Sequence, residues 1–196
     1  MMTERSILFM PENYGKCVDG SKTQTRRIIA LPKDRGNWES STVGGKGYID
    51  SNGNPTSEQS CIWNTTTCKF ILCPFGTVGD RLYVKEGLER EGTSILYRRD
   101  KQPVIKPVMG GQYGWRWSRN TLSPLHMPKW AARLWLDITM VRVERLQEIS
   151  ETDAKLEGAR GSPLVHPDRP HEAYSYVENF HLIWESIHGA GSWDQN

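Results

Sequence analysis

The stretch ARLWLDITMVRVERL, residues 132–146, carries the strongest strand signal in the chain. Its apolar side chains recur with a period close to two, which is the pattern of a strand with one buried face. The residues expected on the core side are Leu134, Leu136, Ile138, Met140 and Val143. The pattern predicts a strand over 132–147, with an irregularity near Val141, and points to a fold built on a sheet.

Shorter runs elsewhere in the chain predict the other strands. They lie at residues 6–9, 25–29, 69–73, 81–86 and 94–98. Several short strands with a few helices predict an α+β fold, most naturally a small barrel. We expect residues 67–100 and 132–147, together with 6–9 and 25–29, to form one mostly antiparallel barrel.

Three helices are predicted beside the barrel, near residues 11–19, 150–158 and 172–188. Pro11 suits a first helical turn, and Gly20 suits a C-terminal stop. Ser150 followed by Asp153 comes close to a capping box. The last helix carries its apolar residues at helical spacing, namely Tyr176, Phe180, Ile183, Trp184 and Ile187. A solvated acidic stretch is expected near the second helix, formed by Glu144, Glu148, Glu151 and Asp153.

Length and charge restrict the class of protein. The 196 residues suit one domain, and 25 Lys+Arg against 23 Asp+Glu give a formal net charge of +2. Such a balance does not by itself indicate a nucleic-acid-binding protein, so any basic face must come from clustering. We expect no membrane association, because no apolar run approaches the length of a membrane span. The N-terminus lacks a signal-peptide pattern, which predicts a cytoplasmic protein.

Residues 30–66 are predicted to be an insertion within the single domain 1–196. Gly, Ser, Asn, Asp and Thr dominate this stretch, which is longer than ordinary loops and is therefore either mobile or functional. The run 44–47, GGKG, lacks the spacing of a phosphate-binding loop. Asn52-Gly53 is more typical of a hairpin turn.

The four cysteines, Cys17, Cys61, Cys68 and Cys73, include no C-x-x-C pair. They are interpreted as ordinary reduced thiols. A loose zinc cluster of Cys61, Cys68 and Cys73 with a histidine is the alternative, although the spacings match no familiar ligand pattern. We predict neither a bound metal nor a cofactor.

Several stretches together resemble the ASCH group of PUA-like domains, particularly its phage and prophage branch. They are DGSKTQTRRI (19–28), GDRLYVKE (79–86), HMPKWAARLWLDIT (126–139), VRVERLQEISETDAKLEG (141–158) and the segment 180–193. The resemblance implies a PUA-like barrel whose cleft faces RNA or a nucleotide. In the family the pattern continues beyond a final Trp-x-x-Asn with an apolar strand. For a chain ending at Asn196, either that strand is missing or the barrel closes differently.

The resemblance also implies candidate activities. Some small ASCH proteins are amidohydrolases that deacetylate acetylcytidine with a Lys, a Thr and a Glu, and another member is described as a ribonuclease. Lys22, Thr25 and Glu86 match the deacetylase trio by resemblance. A partly desolvated Lys22 would take the proton of the Thr25 hydroxyl, and Glu86 would orient the amide or shuttle protons. The alternative is a structural ion pair between Lys22 and Glu86, with Thr25 serving only as a strand former.

A second set of residues predicts nucleic-acid binding. Cations interleaved with aromatic rings are typical of surfaces that bind single strands by stacking and by phosphate contacts. The candidates are Arg26, Arg27, Tyr83, Trp115, Arg116, Arg119, Lys129 and Trp130. The alternative for the tryptophans is a small core with solvated charges around it. The partner would be RNA, single-stranded nucleic acid or a modified nucleoside. A non-catalytic RNA-binding or host-interaction module of phage origin is the competing function.

Overall fold

The computed structural model describes residues 2–105, 115–160, 165, 166 and 169–194. It confirms the α+β class, with helices and small sheets in one chain. The chain divides into two compact units. The first unit comprises Met1–Tyr14, Val43–Gln59 and Leu72–Val141, and the second comprises Gly15–Thr42, Ser60–Ile71 and Arg142–Asn196. The single PUA-like domain and its closed barrel stay predictions.

Eleven strands and three α-helices are described. The strands are β1 (Glu4–Leu8), β2 (Trp38–Val43), β3 (Gln59–Asn64), β4 (Phe70–Leu72), β5 (Arg81–Lys85), β6 (Leu88–Glu91), β7 (Ser94–Tyr97), β8 (Thr121–Leu122), β9 (Trp135–Asp137), β10 (Val165–His166) and β11 (Arg169–Ala173). The helices are α1 (Pro11–Val18), α2 (Glu151–Leu156) and α3 (Tyr176–His188). No helix in the described part of the chain is both long enough and apolar enough to cross a membrane.

The first unit contains a sheet in the order β1-β5-β9. Strand β1 pairs with β5 in parallel, with Ile7 opposite Val84, and β5 pairs with β9 in antiparallel. The alternation predicted for 81–86 is confirmed, because Leu82 and Val84 are buried whereas Arg81, Tyr83 and Lys85 are only half-buried. Ile7, Leu82 and Val84 pack with Tyr14 into one core cluster. The opposite face of the sheet is therefore free to carry polar and aromatic groups.

The first unit also holds an antiparallel sheet in the order β7-β6-β8. Its buried side chains form a second core cluster around Leu88 and Tyr97. Trp115, Trp117 and Trp130 pack against this cluster and are partly buried. The tryptophans therefore contribute to a small core, as the alternative interpretation predicted.

The second unit packs α2 and α3 around a core that includes Phe180 and Trp184. Ser150 caps α2 by accepting a hydrogen bond from the Asp153 amide at 3.1 Å, as its sequence predicts. The last helix begins at Tyr176, later than predicted, because Ser175 and Glu178 form a capping box there. Phe180 and Trp184 are confirmed as core residues, whereas Ile187 is 47% exposed.

Two strand predictions are wrong. The long strand over 132–147 is limited to β9, and Met140 is 68% exposed. Beyond it, Arg142 enters ion pairs with Glu144 and Asp153, so the apolar period does not translate into sheet pairing. Residues 25–29 form no strand. The segment just before them is held at the end of α2, where the amides of Thr23 and Gln24 donate to the Leu156 carbonyl.

The predicted insertion 30–66 contains the whole of β2 and β3, which its composition did not reveal. The turn at Asn52-Gly53 is confirmed: Asp50 donates to the Asn54 carbonyl, and Gly53 has φ +82°. Cys61 is fully buried and Cys68 is exposed. Within the described ranges, no three His, Cys, Asp or Glu side chains are grouped so that they could hold a metal ion, and the zinc alternative gains no support there.

Candidate functional site

Lys22 forms a buried ion pair in the second unit. It follows α1 after a turn in which its amide donates to the Lys16 carbonyl at 2.9 Å. Its Nζ lies 2.8 Å from Oε2 of Glu157 and donates to the Glu157 carbonyl at 2.6 Å. The two side chains are only 6% and 3% exposed. A cation and an anion are thus held together away from water.

Gly158, just after α2, leaves space for the Lys22 side chain. Gly158 has φ +85°, and a Cβ there would lie 2.9 Å from Cδ of Lys16 and 3.3 Å from Cβ of Lys22. Glycine is therefore required both for the left-handed backbone and for the close approach of the two lysines. Nζ of Lys16 donates to the Gly158 carbonyl at 2.7 Å. Two ammonium groups consequently meet the carbonyls at the C-terminal end of the helix, where cations are favoured.

Arg26 extends the ion pair into a network. Its guanidinium lies 3.3 Å from Oε1 of Glu157, 2.9 Å from Glu144 and 3.6 Å from Asp153. We call Lys22, Arg26, Glu144, Asp153 and Glu157 the Lys22 cluster. The cluster joins the irregular segment after α1 to the residues before and at the end of α2. Arg26, which the sequence suggested as a nucleic-acid contact, thus pairs with acidic groups of its own unit.

Asp153 is not part of a solvated acidic stretch, because its side chain is only 16% exposed, so that expectation is wrong for Asp153. The Asp153 carboxylate accepts hydrogen bonds from Gln24 and Arg142, both at 3.0 Å. These hydrogen bonds, from Gln24 first and then Arg142, lower the pKa of Asp153 to about 2. The cause is preferential hydrogen bonding to the charged form of the carboxyl group.

The low pKa of Asp153 leads to a testable pH dependence. A carboxyl group whose pKa is lower in the folded state stabilises the protein above its unfolded pKa of about 4, and the contribution is lost as the pH falls towards about 2. Asp153→Asn should therefore lower stability at neutral pH and make the acid side of the stability profile shallower. Urea denaturation between pH 6 and pH 2 measures this, and Gln24→Ala should give an intermediate profile. Parallel wild-type and Asp153→Asn profiles would contradict the assignment.

Glu86 has a different setting, in the first unit. Arg133 binds it with two hydrogen bonds of 2.7 and 2.8 Å, and Tyr14 also hydrogen-bonds it. Hydrogen bonding to Glu86 is the main cause that raises the pKa of Arg133. Arg133 also contacts Asp100 at 2.8 Å and lies 3.8 Å from the centre of the Tyr97 ring. Glu86 is thus a fully engaged structural carboxylate.

The predicted catalytic trio therefore has partners that the sequence did not reveal. Lys22 pairs with Glu157, and Glu86 pairs with Arg133, each within its own unit. Thr25 is exposed, in an irregular segment three residues after Lys22. The grouping of Lys22 and Thr25 with Glu86 stays a prediction, whereas Lys22 with Glu157 is an observed contact.

The predicted nucleic-acid-binding residues fall into several settings. Arg27, Arg116, Arg119 and Lys129 are exposed, and Trp115 donates a hydrogen bond from its indole to the Arg119 carbonyl at 2.7 Å. Tyr83 lies on β5, away from the core, with its ring centre 5.6 Å from that of Trp135. Lys129 pairs with Glu4. Tyr83 and Lys129 thus both lie close to the ring of Trp135, which was not among the predicted site residues.

Comparisons with protein-family models, with curated proteins and with solved structures found no match.

Three partners of the predicted site residues were not predicted from the sequence, namely Glu157, Arg133 and Trp135. A signal existed for Glu157, because it directly precedes the glycine that ends α2 and lies in one of the stretches that carry the family resemblance. Trp135 was detectable as the outward position of a predicted strand whose inward positions are Leu134 and Leu136. No local pattern pointed to Arg133 as the partner of Glu86.

Proposed function

We propose that the protein is an amidohydrolase that removes an acyl group from the exocyclic amine of a nucleobase or nucleoside, such as acetylcytidine. Lys22, Thr25 and Glu157 are the proposed catalytic groups, with Glu157 in the role first predicted for Glu86. The buried contact between Lys22 and Glu157 carries this proposal. We also propose membership of the ASCH group and a PUA-like barrel.

A buried ion pair contributes little net stability to a folded protein. Removing two charges from water costs several kcal/mol per ion, and the attraction between them often only offsets that cost. Buried charged groups with specific partners are therefore candidates for functional sites. Two of the stretches that resemble the family, 19–28 and 141–158, supply the residues of the Lys22 cluster. The proposed catalytic groups thus lie within the stretches on which the proposed family membership rests.

The chemistry follows from the contact between Lys22 and Glu157. Proton transfer along the 2.8 Å contact converts the ammonium and the carboxylate into an amine and a carboxylic acid. The Lys22 amine then takes the proton of the Thr25 hydroxyl while the Thr25 oxygen attacks the acyl carbon. The carbon–nitrogen bond breaks when Glu157 gives its proton to the leaving amine. Water hydrolyses the resulting ester and restores Thr25.

Purified protein incubated with acetylcytidine and analysed by chromatography tests this function. We expect conversion to cytidine and acetate by the wild type. Thr25→Ala and Glu157→Gln should each reduce turnover by about 100-fold or more. Thr25→Ser should retain part of it, because the hydroxyl remains. Glu39→Gln is the matched control, since it makes the same chemical change at an exposed position in β2.

Thr25 is the decisive position because it is exposed, so its replacement leaves the core intact. Circular dichroism of each variant separates loss of activity from loss of structure. If Glu86→Gln, in a folded protein, abolishes turnover and Glu157→Gln does not, the original assignment of Glu86 is correct. Turnover that survives Thr25→Ala would refute Thr25 as the nucleophile, and an inactive wild type would exclude acetylcytidine as the substrate.

Non-catalytic RNA binding is the second candidate function. The observation that favours it is the pair of exposed cations Arg116 and Arg119 beside Trp115. Their charge would contribute affinity that falls steeply as the salt concentration rises. This candidate predicts RNA binding without any change to acetylcytidine, so the same assay separates the two functions.

A further inference from the structure

The outer face of the β1-β5-β9 sheet carries an aromatic pair. Tyr83 and Trp135 are register partners on neighbouring strands, and their ring centres lie 5.6 Å apart. Both side chains are half-buried, on the face opposite to Leu82 and Val84. The sheet thus holds two rings side by side on a rigid surface outside the core.

Cations surround this pair. Arg81 and Lys85 stand two residues before and after Tyr83, about 7 Å away along β5 on each side. The guanidinium of Arg81 and the ammonium of Lys129 both lie 5.9 Å from the Trp135 ring centre. We call Arg81, Tyr83, Lys85, Lys129 and Trp135 the Tyr83 face. All five residues belong to the first unit.

We propose that the Tyr83 face binds single-stranded RNA, with successive bases stacked on Tyr83 and Trp135 and the phosphates bound by the flanking cations. Stacking platforms of this kind combine exposed aromatic rings with positive charges that follow the backbone. The two ring planes are inclined at 48°, so one flat base does not lie on both rings. Each ring therefore receives its own base, which a duplex with its paired, stacked bases does not offer.

Acidic groups at the rim favour RNA over DNA. Asp137 lies 2.8 Å from Arg81, and Glu4 pairs with Lys129. Their carboxylates keep the cations in place and also present acceptor oxygens beside the aromatic pair. A ribose 2′-hydroxyl is a donor that satisfies such oxygens, and deoxyribose lacks it. This proposal is separate from acyl hydrolysis and uses a different surface from Arg116 and Arg119.

Fluorescence anisotropy with a short labelled oligouridine tests the proposal on the full chain. Tyr83→Thr and Trp135→Thr should each weaken binding about tenfold, since one stacked base is lost in each case. Threonine keeps the strand propensity, so the sheet should remain folded. Tyr83→Phe should bind nearly as the wild type does, because the ring is retained. Tyr48→Ala, which removes an exposed tyrosine elsewhere in the same unit, is the matched control and should change nothing.

Salt dependence separates stacking from charge. Lys85→Ala should reduce the slope of log affinity against log salt by about one, whereas Tyr83→Thr should leave the slope unchanged. The same sequence as DNA should bind several-fold more weakly, and a duplex should bind more weakly still. Wild-type affinity in Tyr83→Thr and Trp135→Thr, or no binding by the wild type at low salt, overturns the proposal. If only Arg116→Ala and Arg119→Ala lose affinity, RNA binds at the surface of Arg116 and Arg119 and not at the Tyr83 face. Equal affinity for RNA and DNA overturns the preference for RNA.

Discussion

Glu86→Ala is expected to lower the free energy of unfolding by about 3 kcal/mol. Glu86 is buried, and its carboxylate takes both hydrogen bonds of the Arg133 guanidinium together with that of Tyr14. Removing it leaves a half-buried cation whose remaining acidic partner, among the described residues, is Asp100. The cost is mainly that of an unpaired charge, rather than of a lost attraction.

Urea denaturation followed by circular dichroism measures this effect. Glu89→Ala is a suitable control, because Glu89 pairs with the exposed Lys101 and such pairs contribute about 1 kcal/mol or less. Glu86→Gln keeps one acceptor oxygen and should fall between the two. A Glu86→Ala protein as stable as the wild type would mean that Arg133 is adequately solvated without its partner.

Trp184→Ala should destabilise the second unit by about 3–5 kcal/mol, as expected for removing a large buried aromatic side chain. Trp184 is buried in the core cluster with Phe180, and its ring centre lies 6.0 Å from the ring centre of Phe180. The deletion creates a cavity between α2 and α3 that surrounding side chains cannot fill without moving.

The matched control lies one turn away on the same helix. Ile187→Ala also shortens an apolar side chain of α3, but nearly half of Ile187 is exposed, so about 1 kcal/mol or less should be lost. Urea denaturation of both variants compares the two positions. Equal losses at Trp184 and Ile187 would show that the packing against α2 is not what stabilises this helix.

The charged groups of the two units explain why some site residues escaped sequence reasoning. Lys22 and Glu157 are separated by 135 positions, and Glu86 and Arg133 by 47. The spacing of apolar residues indicates which face of a strand or helix is buried, but the spacing of charged residues does not indicate their ion-pair partners. Lys22 was selected because of the family resemblance, but its acidic partner required the three-dimensional structure.

The long strand predicted for 132–147 shows that an apolar pattern alone also does not determine tertiary pairing. Apolar alternation continues well past Asp137, yet only β9 pairs with β5. The residues that follow alternate Val with Arg and Glu, and their charges find partners near α2. A local period describes which face of a strand could be buried, but pairing requires a neighbouring strand at that place.

By itself, the sequence determined the features that depend on nearby residues. The α+β class, the start of α1 at Pro11, the cap of α2 at Ser150 and the alternation along β5 all follow from short-range geometry and hydrogen bonding. Only the tertiary structure decided that Glu157 would meet Lys22, that Arg133 would bind Glu86, and that Trp135 would stand beside Tyr83. These contacts join distant parts of the chain, and packing and desolvation select them once the local elements have formed.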